Sequence, residues 1–114
     1  MKELAELNLT AAQDAALKDL QALLQERFTV KGLMLYGSSV RGMADEESDL
    51  DLLVLTDRPF SRERRHEITD LAFDVNLKHG TNISTLVVDR QSWESGPYSI
   101  VPIHDEILKT GIPL

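Results

Sequence analysis

Residues 37–51 read GSSVRGMADEESDLD. An apolar run, Gly32-Leu33-Met34-Leu35-Tyr36, leads into Gly37-Ser38, and a second run, Leu52-Leu53-Val54-Leu55, follows directly on Asp49-Leu50-Asp51. Short apolar runs bounded by glycine or turn residues read as buried strands. The stretch is therefore a connection between two strands. Its glycine-serine start and paired acids at its end suggest a phosphate and a metal ion held side by side.

Along a strand, side chains alternate between faces. With a strand over residues 49–55, Asp49 and Asp51 point the same way, as do Leu53 and Leu55. Leu50, Leu52 and Val54 point to the opposite face. Both faces are apolar beyond the acids, so the strand should be covered on both sides. A chain of 114 residues is short for two covers, and the acid-bearing face is expected to be closed partly by another protein.

The flanking segments supply helices. Thr10-Ala11-Ala12-Gln13 fits a capping box, and Ala16, Leu17, Leu20, Leu23 and Leu24 recur at helical spacing, which predicts a helix over residues 11–27. Residues 38–42 are expected to start a short helix, and the acidic residues 44–48 to form a loop. Ser61 is a candidate cap for a second long helix that carries Ile68, Leu71, Ala72 and Val75 and stops at Gly80. Arg62, Arg64, Arg65 and His66 crowd its start, as a solvated face or as a contact for an acidic partner. Residues 82–88 predict a third strand. Trp93, Pro97 and Tyr98 fall in a connection. Ile100, Ile103, Ile107 and Leu108 predict a last helix ended by Gly111. Strands alternating with helices indicate a single α/β domain over residues 1–114, a small mixed sheet with helices packed on it.

Composition narrows the function. A net charge of −7 argues against general nucleic-acid binding, which needs a basic face. A nucleotide remains possible, because local cations, backbone N–H groups or a metal offset its charge. The chain has no cysteine, which excludes disulfides and thiolate metal sites. No signal-peptide pattern or membrane-length apolar run is seen, so a cytoplasmic protein is expected.

Two carboxylates on one strand face repel each other unless a cation lies between them. Mg²⁺ takes one or two carboxylates together with substrate phosphate oxygens, so Asp49 and Asp51 are the candidate metal ligands. Gly37 lets backbone approach a phosphate. Ser38 (or Ser39) adds a hydroxyl at the start of a short helix, where anions bind, and Arg41 can pair with a phosphate oxygen. The three histidines, His66, His79 and His104, have no metal-ligand spacing and read as structural or surface residues.

Gly37-Ser38, ten residues and Asp49-Leu50-Asp51 resemble the GS-x10-DxD signature of the DNA polymerase beta-like nucleotidyltransferase superfamily. The text LYGSSVRGMADEESDLDLLVL is similar to the minimal nucleotidyltransferases of prokaryotes. The resemblance implies that fold and an Mg²⁺-dependent transfer of a nucleoside monophosphate, AMP from ATP, to a hydroxyl. Asp49 and Asp51 would then hold Mg²⁺ and act in catalysis, while Gly37, Ser38 and Arg41 would hold the triphosphate. The family has a third carboxylate early on a later strand, where this chain has Asn82 and Ser84. Asp89 is expected at the far end of that strand, and Asp74 on the helix before it. The resemblance also implies a partner, a small all-helical HEPN-domain protein, whose tyrosine would accept the nucleotide in a toxin–antitoxin pair. A homo-oligomer is the other expected association. The missing acid leaves a second expectation, a lapsed module that works by binding its partner.

Overall fold

The computed structural model describes Leu7, residues 9–37 and residues 49–114. Helix α1 spans Ala11–Arg27 and starts on the expected capping box. The Gln13 backbone N–H donates to Thr10 Oγ1 at 3.1 Å, and the Thr10 N–H donates to Gln13 Oε1 at 2.9 Å. Strands β1 (Val30–Tyr36), β2 (Leu50–Thr56) and β3 (Ile83–Asp89) form the sheet with a short β4 (Ile112–Pro113). The sheet order is β3-β2-β1-β4. β1 runs antiparallel to β2 and β4, and β2 runs parallel to β3. The mixed sheet agrees with the sequence reading. β4 was not expected, since two residues carry no periodic signal.

The parallel pair needs a crossover, supplied by α2 (Arg62–His79), which starts on the Ser61 side chain and stops at Gly80. Gly80 adopts a left-handed φ of 68°, which glycine tolerates without a Cβ penalty. Helices α1 and α2 cover one sheet face. Leu50, Leu52, Val54, Leu33, Leu35 and Ile83 pack there against Leu20, Leu24, Ile68 and Val75.

The opposite face carries Asp51 and a smaller cluster. Leu53 and Val88 bury against Trp93 of α3 (Arg90–Glu94) and Ile107 of α4 (Pro102–Thr110). The chain's own C-terminal helices thus close the Leu53 end of this face. Trp93 lies in α3 rather than in a connection, its ring tilted at 42° against that of His104 with centroids 4.5 Å apart. Pro97 and Tyr98 fall in a 3-10 turn over Pro97–Ile100. Ile100 belongs to that turn and is 87 % exposed, so it is not on the α4 stripe, and Leu108 is exposed as well. Pro102 explains the shift, because proline suits the first turn of a helix and disfavours helix in the residue before it.

Candidate functional site

The sheet register assembles the site. Tyr36 at the end of β1 lies across from Asp51 of β2. Asp51 lies beside Ser84 of β3 on its other side. Cross-strand partners project to the same face, so Tyr36, Asp51 and Ser84 form one row on the acid-bearing face. Strand spacing makes such neighbours about 4.8 Å apart. Asp49 stands ahead of β2, exposed, rather than inside the strand as expected. The entry of β2 is tied down next to it, where the Leu50 N–H donates to the Asn82 carbonyl at 2.8 Å.

Gly37 closes β1 with φ of +84°, a left-handed turn. A Cβ at this position would collide with Oδ2 of Asp51. The chain therefore turns against the carboxylate with no room for a side chain, and both the turn angle and the close approach require glycine. Two parts of the motif separated by fourteen positions in sequence are packed against each other. Ser38 and Arg41, the other candidate phosphate ligands, lie outside the described residues, as do the expected short helix over residues 38–42 and the loop over 44–48.

Tyr36 is half-buried beside Asp51. Burial first, then the negative charges of Asp51 and of Glu106 on α4, push its phenol above the usual tyrosine range. Tyr36 is thus a neutral hydroxyl among acids at ordinary pH. Glu106 escaped sequence reading because its neighbour Ile107, rather than any motif, brings α4 onto this face.

Register fixes which β3 residue stands beside Asp51. Ser84 is the β3 residue level with Asp51. Asp89 lies five residues further along, roughly 16 Å away at strand rise. It is occupied as the cap of α3, accepting from the Ser92 N–H at 3.0 Å. The Ser92 hydrogen bonds hold its carboxyl below the usual aspartate range. Asp74 sits exposed on α2. Among the described residues, no three His, Asp or Glu side chains converge to hold a metal. The described part of the motif brings the Asp51 carboxylate against the Gly37 turn, with Asp49 exposed two residues before Asp51. Carboxylate oxygens are the donors that a hard cation takes together with phosphate oxygens and water.

His79 pairs with Asp19 at 3.1 Å, which ties α2 to α1 and confirms a structural role. Among the described residues, no helix is long and apolar enough to cross a membrane.

Residues 17–106 match the family model described as nucleotidyltransferase domain. A protein of Methanocaldococcus jannaschii, provisionally named a protein adenylyltransferase, is 31 % identical over 70 residues, covering 61 % of this chain and 69 % of the relative. The fold is similar to a solved structure described as a minimal nucleotidyltransferase, with a TM-score of 0.59 at 19 % identity over 94 % of this chain and 99 % of the other. It is also similar to a crystallised toxin–antitoxin with AMP-PNP, with a TM-score of 0.59 at 20 % identity over 84 % and 69 %. With the family model spanning most of the chain and the fold in agreement, the chain belongs to the nucleotidyltransferase domain family.

Proposed function

We propose that this nucleotidyltransferase moves AMP from ATP to a tyrosine hydroxyl of an all-helical HEPN-domain partner in the cytoplasm, and thereby acts as an antitoxin. The observation that carries the reading is Gly37 turned against Asp51, which joins the phosphate-binding half of the motif to its acidic half. The adenylyltransferase name of the M. jannaschii relative supports AMP as the group moved. The toxin–antitoxin description of the structural neighbour supports the partner.

In the reaction, the acceptor oxygen forms a bond to the α-phosphorus, the bond to the β-phosphate bridging oxygen breaks, and pyrophosphate leaves. Asp49 and Asp51 would hold Mg²⁺, which when bound neutralises charge on the phosphates and lowers the pKa of a coordinated hydroxyl. Gly37 gives the triphosphate access to backbone amides, and Ser38 and Arg41 would bind its oxygens. Preorganised charge and positioning supply most of the acceleration in such transfers. The larger apolar cluster behind Asp51, built on Leu50 and Leu52, sets the carboxylate on a rigid strand.

The test is transfer of label from α-labelled ATP with Mg²⁺, with and without the helical partner. Label on the partner that disappears when its acceptor tyrosine becomes phenylalanine is the expected result. Label that persists places the acceptor elsewhere.

Ser84 level with Asp51 favours a second reading, a module that binds its partner without transfer. Ser84→Asp separates the two. Under transfer with a two-acid site, the added carboxylate should raise Mg²⁺ affinity and labelling together. Under binding alone, partner neutralisation proceeds without nucleotide in both forms.

A further inference from the structure

Among the described residues, β3 is an edge strand, paired on one side only, with β2. Its outward groups can be identified. Both backbone groups of Ile83 bond the Asn76 side-chain amide, N–H to Oδ1 at 2.8 Å and carbonyl from Nδ2 at 3.0 Å. Asn76 on α2 thus plugs the first outward position of the edge. Successive residues of a strand direct their backbone groups to alternate sides, so Thr85 and Val87 also face outward. Among the described residues, no side chain or turn backbone bonds those groups. Natural edges are covered, shortened or charged to prevent pairing; here the middle of a seven-residue strand is open.

The open segment is the floor of a groove of about 400 Å³. Arg62, Arg65 and His66 of α2 wall it on one sheet face, and Tyr98 of the 3-10 turn walls it on the other. Arg65 donates to the Phe60 carbonyl at 2.9 Å. Arg62 and His66 have no ion pair among the described residues. Two arginines and a histidine thus line one groove on a chain whose net charge is −7. Beyond Thr85 the same edge continues to Phe73, a phenylalanine 61 % exposed.

We propose that the β3 edge docks an extended acidic segment of a partner protein as an added strand. Side chains of an added strand alternate between the two walls. Acidic residues at every second position would meet Arg62 and His66, and apolar residues between them would meet Tyr98. Main-chain bonds to Thr85 and Val87 would supply affinity, and the walls would supply selectivity. This surface is separate from the acid row and stands whether or not transfer occurs.

The probe is a fluorescein-labelled peptide of seven residues alternating glutamate with valine, matched to the length of β3, titrated by anisotropy into the full chain. Val87→Pro removes an outward N–H and leaves the β2 ladder intact, because proline is tolerated where the N–H of an edge strand faces solvent. Expected are losses of about tenfold or more for Val87→Pro and for Arg62→Glu with His66→Glu. A peptide N-methylated on alternate amides should bind about tenfold more weakly or worse. Should Val87→Pro fail to fold, the methylated peptide against wild-type chain decides. The Thr85 and Val87 amides should gain hydrogen-exchange protection when peptide binds. Equal binding of the methylated peptide overturns the strand reading, as does no binding at millimolar peptide. Displacement of the peptide by a thymidine decamer would make the groove a nucleic-acid site. A dimer of the chain alone that Val87→Pro dissociates would make the occupant a second copy. Either result overturns the proposal.

Discussion

Leu50, Leu52 and Val54 leave one face of β2, while Asp51, Leu53 and Leu55 leave the other, and the two faces are built differently. The first is sealed by two long helices, each started by its own side-chain cap. The second is closed at one end by short C-terminal helices and keeps Asp51 at the other. A single strand thereby anchors the core and presents a carboxylate. Rigidity comes from the sealed face, so the acidic end can carry repulsive charge without being needed for folding.

This division is broken or sharpened by substitution. The largest effect is expected from Asp49→Asn with Asp51→Asn, which should lower transfer more than about 100-fold while leaving the thermal melting point nearly unchanged. A double variant that keeps activity removes the acids from the mechanism, and one that unfolds makes them structural. Next is Leu52→Ala, which deletes a side chain 1 % exposed in the sealed face. It should cost about 2–5 kcal/mol in denaturant unfolding. Leu55→Ala, on the half-open face, should cost clearly less, and the reverse order would contradict the contrast.

Glycine gives a finer comparison. Gly37→Ala should lose about 1–2 kcal/mol from the left-handed backbone and also weaken nucleotide binding, because the new Cβ meets Asp51. Gly80→Ala has a similar φ but nothing within 4 Å of the added carbon. It should show only the backbone cost, with nucleotide binding unchanged. Calorimetric titration with ATP and Mg²⁺ separates the two. The smallest effect concerns Asp89. Hydrogen bonds from Ser92 lower its carboxyl in the folded state. Its contribution to stability is therefore present above the ordinary carboxylate range and lost as pH falls through it. Asp89→Asn keeps a capping side chain and should flatten that part of the melting profile below about pH 5, down through the lowered carboxyl. An unchanged profile would mean that the cap carries no linked proton.

Local signals carried most of this architecture. Thr10 with Gln13, Ser61 and Gly80 mark helix ends through their own backbone partners, so α1 and α2 were readable to the residue. Alternation in 49–55 told the two faces of β2 apart. The features that escaped depend on distant residues. β4 exists because Ile112 pairs with Leu35, and α4 starts at Pro102 rather than at Ile100. In the site, residue type and spacing pointed to Gly37, Asp49 and Asp51, but not to their packing. That Gly37 rests on Asp51, that Ser84 holds the level position on β3, and that Glu106 approaches Tyr36 all follow from strand register and helix docking. The plug of Asn76 on Ile83 has no sequence signature, since an asparagine near the end of a helix is commonplace.

The most direct test of the division between faces is an amide NMR titration with AMP-PNP and Mg²⁺. Shifts are expected at Gly37, Asp49, Asp51 and Ser84, abolished by Asp49→Asn with Asp51→Asn, with little change at Leu24, Ile68 and Val75 under the sealed face. Shifts centred on Arg62, His66 and Val87, or none at the acid row, would contradict it and place the nucleotide elsewhere on the molecule.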